Sequence, residues 1–141
     1  MGIYLKNGVI TVISLAIAFS VNAKDISQTE LVKQMRSDNK PLIIDVRTVK
    51  EYNAGHIPGA INIPHLQVKM RMNDILALKD KDQDIVLYCR SGRRAVIAKD
   101  DFTSGGFSKL THLAGDFNAW SANKMPMEIG TGQKAIKRAD L

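Results

Sequence analysis

One segment of this chain combines residue types able to do covalent chemistry: Cys89-Arg90-Ser91-Gly92-Arg93-Arg94, a thiol followed by three guanidinium groups and a glycine, with no acid among them. Cys89 is the only cysteine in 141 residues, which excludes an intrachain disulfide and a CxxC redox couple. A glycine in such a segment permits tight curvature, and successive backbone N–H groups can then converge on a negative centre. A helix starting near Arg93 adds its positive end. These features favour thiolate over thiol, and the thiolate is the nucleophile. The competing reading, a buried cysteine serving as a small hydrophobe, calls for none of the three arginines.

The elements that must position this segment follow from hydrophobic spacing. Leu31, Val32 and Met35 predict a helix over residues 27–35, with Ser27 able to cap it and Glu30 three positions on. Residues 42–46 (LIIDV) and 85–89 (IVLYC) are continuous apolar runs, the pattern of strands covered on both faces. Between them, residues 47–52 suit a helical turn with Arg47 and Glu51 as a local ion pair. Gly55 to Ala60 then form a rigid turn into the apolar residues 61–63, and residues 66–78 permit a helix through Leu66, Met70, Ile75 and Leu78. Residues 79–84 read as a solvated connection. After the second strand come a helix over 95–102 stopped near Gly105, a short strand within 107–113 and a helical turn over 115–120 that buries Trp120. Strands alternating with helices predict a compact α/β domain with a mainly parallel sheet. A residue that ends such a strand and precedes a helix lies at the sheet's carboxyl edge, so Cys89 is expected on exposed ground.

The first residues are read separately. Lys6, the apolar run Val9 to Phe19 and the small residues Val21 and Ala23 have the three-part pattern of a secretory signal peptide. Residues 1–23 are therefore expected to be removed, leaving residues 24–141 as a periplasmic domain with no membrane anchor. At 45% hydrophobic and 24% charged, the remainder has the composition of an ordinary folded protein. A net charge of +6 and pI of 9.6 favour loose contact with phosphate. No aromatic-interleaved basic surface or reader helix emerges, so specific nucleic-acid binding is not expected. Residues 134–141 read as a loosely attached basic tail.

Taken together, LIIDVR, EYNAGHIPGAINIP, IVLYCRSGRRA and HLAGDFNAW resemble the small single-domain members of the rhodanese family, over nearly the whole of residues 24–141. The resemblance implies an α/β domain with a mainly parallel five-stranded sheet flanked by helices, and a loop cysteine that carries sulfane sulfur as a persulfide. On this chain Cys89 matches that cysteine, and Arg90, Ser91, Gly92, Arg93 and Arg94 complete the substrate-binding loop. Asp45, Arg47, Glu51 and His56 match residues that maintain the architecture around it. Asp116 stands where the family commonly has a second glycine, a departure expected to lie outside the sulfur-cradling loop.

The implied activity is that of a thiosulfate sulfurtransferase. Sulfur moves through a Cys89 persulfide to cyanide or a small thiol, sulfite is released, and a protein thiol is a further acceptor; no cofactor, no metal and a monomer are expected. A preformed thiolate needs no separate base, which leaves His56, His65 and His112 structural or on the surface. The related cysteine phosphatases resemble a loop with its arginine one position later, where this chain has Ala95. The alternative is a noncatalytic sulfur-carrier or regulatory binding module.

Overall fold

The computed structural model describes residues 25–78 and 83–130; the expected leader, residues 79–82 of the connection and the basic tail lie outside them. The two apolar runs pair side by side as parallel strands β1 (Leu42–Asp45) and β3 (Ile85–Tyr88), with Ile44 opposite Leu87. On the far side of β1 lies β2 (Ile61–Asn62), and on the far side of β3 lies β4 (Leu110–His112), giving the order β2-β1-β3-β4, all parallel. A parallel sheet is stable with both faces covered, which is why these strands carry no polar alternation.

Among the described residues the expected fifth strand is present only as a single residue. Ile26 bridges in parallel to Leu113, its N–H donating to the His112 carbonyl and its own carbonyl accepting from Ala114, both at 2.9 Å. The strand stops there because Ser27 at once caps α1 (Gln28–Met35), its hydroxyl accepting the Glu30 N–H.

Side chains alternate across the sheet into two cores. Ile44 and Leu87 face one way, with Val68, Ile75, Ala98 and Phe102, under α3 (Met72–Leu78) and α4 (Arg93–Ser104). Ile43, Val86 and Tyr88 face the other, with Leu31, Tyr52 and Trp120, under α1, α2 (Val49–Ala54) and α5 (Asp116–Ala122). Trp120 is fully buried and donates its indole N–H to the Pro126 carbonyl at 2.8 Å.

Two local expectations are corrected. The helix over 66–78 is a 3-10 turn, His65–Gln67, followed by α3 only from Met72. Leu66 and Met70 are 80% and 79% exposed, while Val68, outside the expected spacing, fills the core beside Ile75, which the spacing had included. The Arg47–Glu51 pair is not formed either. Arg47 precedes Thr48, the N-cap of α2, so the four-residue helical spacing does not apply to it. Glu51 instead completes a capping box, taking the Thr48 N–H at 3.0 Å while the Thr48 hydroxyl accepts from the Glu51 N–H at 3.2 Å.

Arg47 turns back to the end of β1. Asp45 is fully buried and accepts the Arg47 backbone N–H at 2.9 Å, Nε at 3.0 Å and Nη2 at 2.6 Å. Arg47 Nη2 also donates to the Gly55 carbonyl at 2.7 Å, and its guanidinium lies 3.9 Å from the centre of the Phe117 ring. One buried charge pair thus ties β1, the end of α2 and the start of α5. Asp45→Ala leaves Arg47 buried without its counter-charge, and the expected loss is about 3–5 kcal/mol of unfolding free energy. Urea unfolding monitored by Trp120 fluorescence measures it; a loss below about 1 kcal/mol is the value of an exposed pair and contradicts this account.

Candidate active site

β3 delivers Cys89 to the carboxyl edge, and the next three residues turn into α4. The turn is closed by Gly92, which adopts the left-handed φ of 106° as the N-cap of α4 and donates its N–H to Cys89 Sγ at 3.0 Å. A Cβ at position 92 would lie 3.1 Å from Asp116 Oδ2 in addition to the strain of that φ, so both conformation and space select glycine. No side chain caps α4, which leaves its first N–H groups available to an acceptor from outside the helix.

Cys89 itself is 1% exposed, a correction to its expected place on open ground. Its side chain turns inward, beneath the loop, into the core containing Val46, Ala95 and Ala98. The two readings of the thiol, small hydrophobe and anion-loop nucleophile, therefore describe the same atom. Around it Arg90, Ser91 and Arg93 are exposed. Arg94 is not free in the same way: its two terminal nitrogens grip the Glu51 carboxylate at 2.7 and 2.8 Å. That bidentate hydrogen bond with Arg94 is the chief reason Glu51 titrates at about 2, burial working against it and the Thr48 hydrogen bonds adding to it.

His56 is fully buried and stacks on Tyr52 with ring centres 3.7 Å apart, Nδ1 lying 2.9 Å from the Tyr52 carbonyl oxygen. Its backbone exchanges both hydrogen bonds with Glu128 at 2.9 Å. These contacts fasten the Gly55–Ala60 turn to the segment after α5 and give His56 no part in the Cys89 loop. Arg47 and Glu51 meet at the neighbouring cleft, about 480 Å³, lined also by Gly55, Arg90, Phe117 and Asn118 among others, with Asp45 buried behind Arg47. Among the described residues no group of three or more His, Cys, Asp or Glu side chains is placed to hold a metal.

Asp116 is the residue that sequence reasoning set aside. Far from lying outside the loop, its buried carboxylate accepts the Cys89 N–H at 2.8 Å through Oδ1 and contacts His112 Nε2 at 3.0 Å through Oδ2. The α5 backbone completes the grip, Phe117 N–H donating to the Cys89 carbonyl at 3.0 Å and Asn118 N–H to the Arg90 carbonyl at 3.1 Å. An acid directly after Gly115 and four residues after a histidine was the available signal. What it touched was not legible, because Cys89 is 27 residues away in sequence.

Comparison with known proteins gives the family of the fold. Residues 27–123 match the family model described as Rhodanese, a rhodanese-like domain. A protein of Allochromatium vinosum named "Sulfurtransferase" is 31% identical over 108 residues, covering 77% of this chain and 97% of that protein. A Mycobacterium tuberculosis HTH-type transcriptional regulator is 43% identical over 75 residues, 53% of this chain but 30% of the regulator. Among solved structures, one titled "rhodanese with anions from E. coli" is 33% identical with a TM-score of 0.52, covering 64% of this chain and 99% of that one.

The Glu51–Arg94 pair has a pH signature. Because the folded Glu51 is depressed to about 2 from 4.5, its contribution to stability is full above about pH 5 and disappears as pH falls through 4.5 to 2. The unfolding free energy of wild type minus that of Glu51→Gln is accordingly expected to be constant from pH 8 to about 5 and to shrink steadily below it. Denaturant melts across that range test this, and a difference that does not shrink on acidification would show that the pair adds no ionic stabilisation.

Proposed function

The chain belongs to the rhodanese-like domain family, and from that premise we propose that it is a thiosulfate sulfurtransferase whose sulfur carrier is Cys89. The observation that carries the reading is the Gly92 N–H directed at Cys89 Sγ at 3.0 Å, at the uncapped N-terminus of a twelve-residue helix. A donor aimed at sulfur and an open helix terminus suit a sulfur atom that must bear negative charge during transfer. The similar structure titled "rhodanese with anions from E. coli" supports an anionic substrate class.

In the proposed reaction the Cys89 thiolate attacks the outer sulfur of thiosulfate, the sulfur–sulfur bond breaks, and sulfite leaves with the bonding pair. Cys89 then holds one added sulfur as a persulfide. Cyanide or a thiol attacks that outer sulfur, and the Cys89 thiolate is the leaving group, a two-step covalent cycle. Arg90 and Arg93, exposed on the loop, draw in the dianion. Ser91 and Gly92 shape the turn, and Arg94 lends charge while Glu51 fixes its direction.

The near-complete burial of Cys89 and the relationship to a transcriptional regulator favour a second reading, a regulatory or sulfur-carrying module that loads sulfur without turnover. Intact mass separates these readings. Thiosulfate is expected to add about 32 Da, excess cyanide to remove it with continuing sulfite release, and Cys89→Ser to abolish both while remaining folded. A single loading without continuing sulfite release would favour the carrier, and no mass gain would reject both. We place the protein outside the cytoplasm on the leader pattern of residues 1–23. N-terminal sequencing after fractionation is expected to begin at or near Lys24; a soluble cytoplasmic chain retaining residues 1–23 would contradict that placement.

A further inference from the structure

The carboxylate beneath the loop poses an electrostatic problem. Asp116 is 2% exposed and takes up a left-handed φ of 52°, unusual for any residue but glycine though tolerated best by Asp and Asn. It reaches the beginning of the loop through the Cys89 N–H and passes under its far end, where a Cβ at Gly92 would lie 3.1 Å from Oδ2. A negative charge is thereby fixed directly under a turn whose upper side must receive an anion. A lone carboxylate there repels both the persulfide and the donor.

His112 supplies the counter-charge. Its Nε2 is 3.0 Å from Asp116 Oδ2, its Nδ1 is 3.3 Å from Asp25 Oδ2, and its Cε1 would lie 3.6 Å from a Cβ at Gly92. The charged and titratable groups it faces are Asp25 from the segment before α1, Asp116 from α5 and, through the loop above it, Cys89. Resting on the sulfur-transfer reading for its biological meaning, we propose that His112 and Asp116 are positioning residues that hold the Cys89 loop from below. In this arrangement the protonation of His112 sets how readily the loop accepts an anion.

With His112 protonated, the ion pair is neutral and the loop keeps the positive field of its arginines. With His112 neutral, Asp116 adds one uncompensated negative charge beneath the sulfur. The Asp116 hydrogen bond is the main cause that raises His112 above its ordinary 6.5, desolvation opposing it and the charges of Asp116 and Asp25 assisting. The protonated state therefore extends to higher pH than in a free imidazole and is lost as pH climbs through the raised value. Any stability it contributes is likewise full below 6.5 and lost over the same rise.

The test uses two alkylating probes of similar size, anionic iodoacetate and neutral iodoacetamide, on the whole protein. Both need the Cys89 thiolate and both need entry to the buried sulfur, so the ratio of their rates removes those factors and reports local charge. In wild type the iodoacetate-to-iodoacetamide ratio is expected to fall roughly threefold or more between about pH 6 and 9. In Asp116→Asn, which retains an acceptor for the Cys89 N–H without the charge, the ratio is expected to be higher than in wild type at each pH and its fall to move to lower pH, because the main cause of the raised His112 is gone. In His112→Gln it is expected to be low throughout. The same dependence should appear in the rate of persulfide formation from thiosulfate. A flat ratio in wild type, or an Asp116→Asn profile that coincides with that of wild type, overturns the coupling without need of the other variant. If no protein takes up sulfur yet the ratios behave as described, the sulfur-transfer reading fails and the charge coupling stands.

Discussion

The carboxyl edge of this sheet is organised by buried carboxylates that cannot be left unpaired. β1 and β3 are apolar throughout until they stop, and at the edge the chain must satisfy polar groups without bulk water. Asp45 does so for β1 by accepting from three donors of Arg47, whose guanidinium in turn reaches Gly55 and covers Phe117. Asn62 adds its amide to the carbonyls of Asp45 and Arg47 at 2.9 Å each. A charge at this depth is several kcal/mol less favourable than in water unless geometry is good, so Asp45 and Arg47 are bound to one another's positions. An exposed pair such as Glu30–Lys33, at 3.8 Å with the lysine 80% exposed, exerts no comparable constraint.

Asp116 performs the same service for β3, with a consequence for chemistry. It anchors the Cys89 N–H, and Phe117 anchors the Cys89 carbonyl, so the backbone at the sulfur is pinned on both sides by α5. The side chain then has little freedom but to point inward, where Gly92 meets it. Rigidity of this kind fixes donors in place before charge develops, which is the form of electrostatic stabilisation that needs no reorganisation. The histidine offsets the charge brought by the anchor. A glycine at position 116 would leave the Cys89 N–H without that carboxylate and the loop without the histidine's influence.

The arginines divide by the same logic. Arg94 looks on paper like its neighbours, yet Glu51 holds it by two short hydrogen bonds, and Glu51 is itself fixed by Thr48 at the head of α2. This links the loop to the Asp45–Arg47 region through one surface of the cleft. Arg90 and Arg93 remain on the outside, where their field extends into solvent and is reduced by salt.

The sequence by itself determined the fold class, the order of elements, the place of Cys89 after the second apolar strand and the glycine turn before α4. These depend on local periodicity and on conformations few residues adopt, which are written along the chain. Only the tertiary structure decided who pairs with whom. Arg47 and Glu51 are four apart but pair elsewhere, because a helix cap intervenes and β3 brings Arg94 within reach. Leu66 and Met70 carry the same spacing as the buried Ile75 but face outward, because the chain there is a 3-10 turn that sends Val68 to the core instead. Cys89 is buried, and Asp116 with His112 lies beneath it, because α5 packs back across the edge of the sheet. Charge pairing and burial are set by atoms brought together from distant positions, and no spacing in the chain records that meeting.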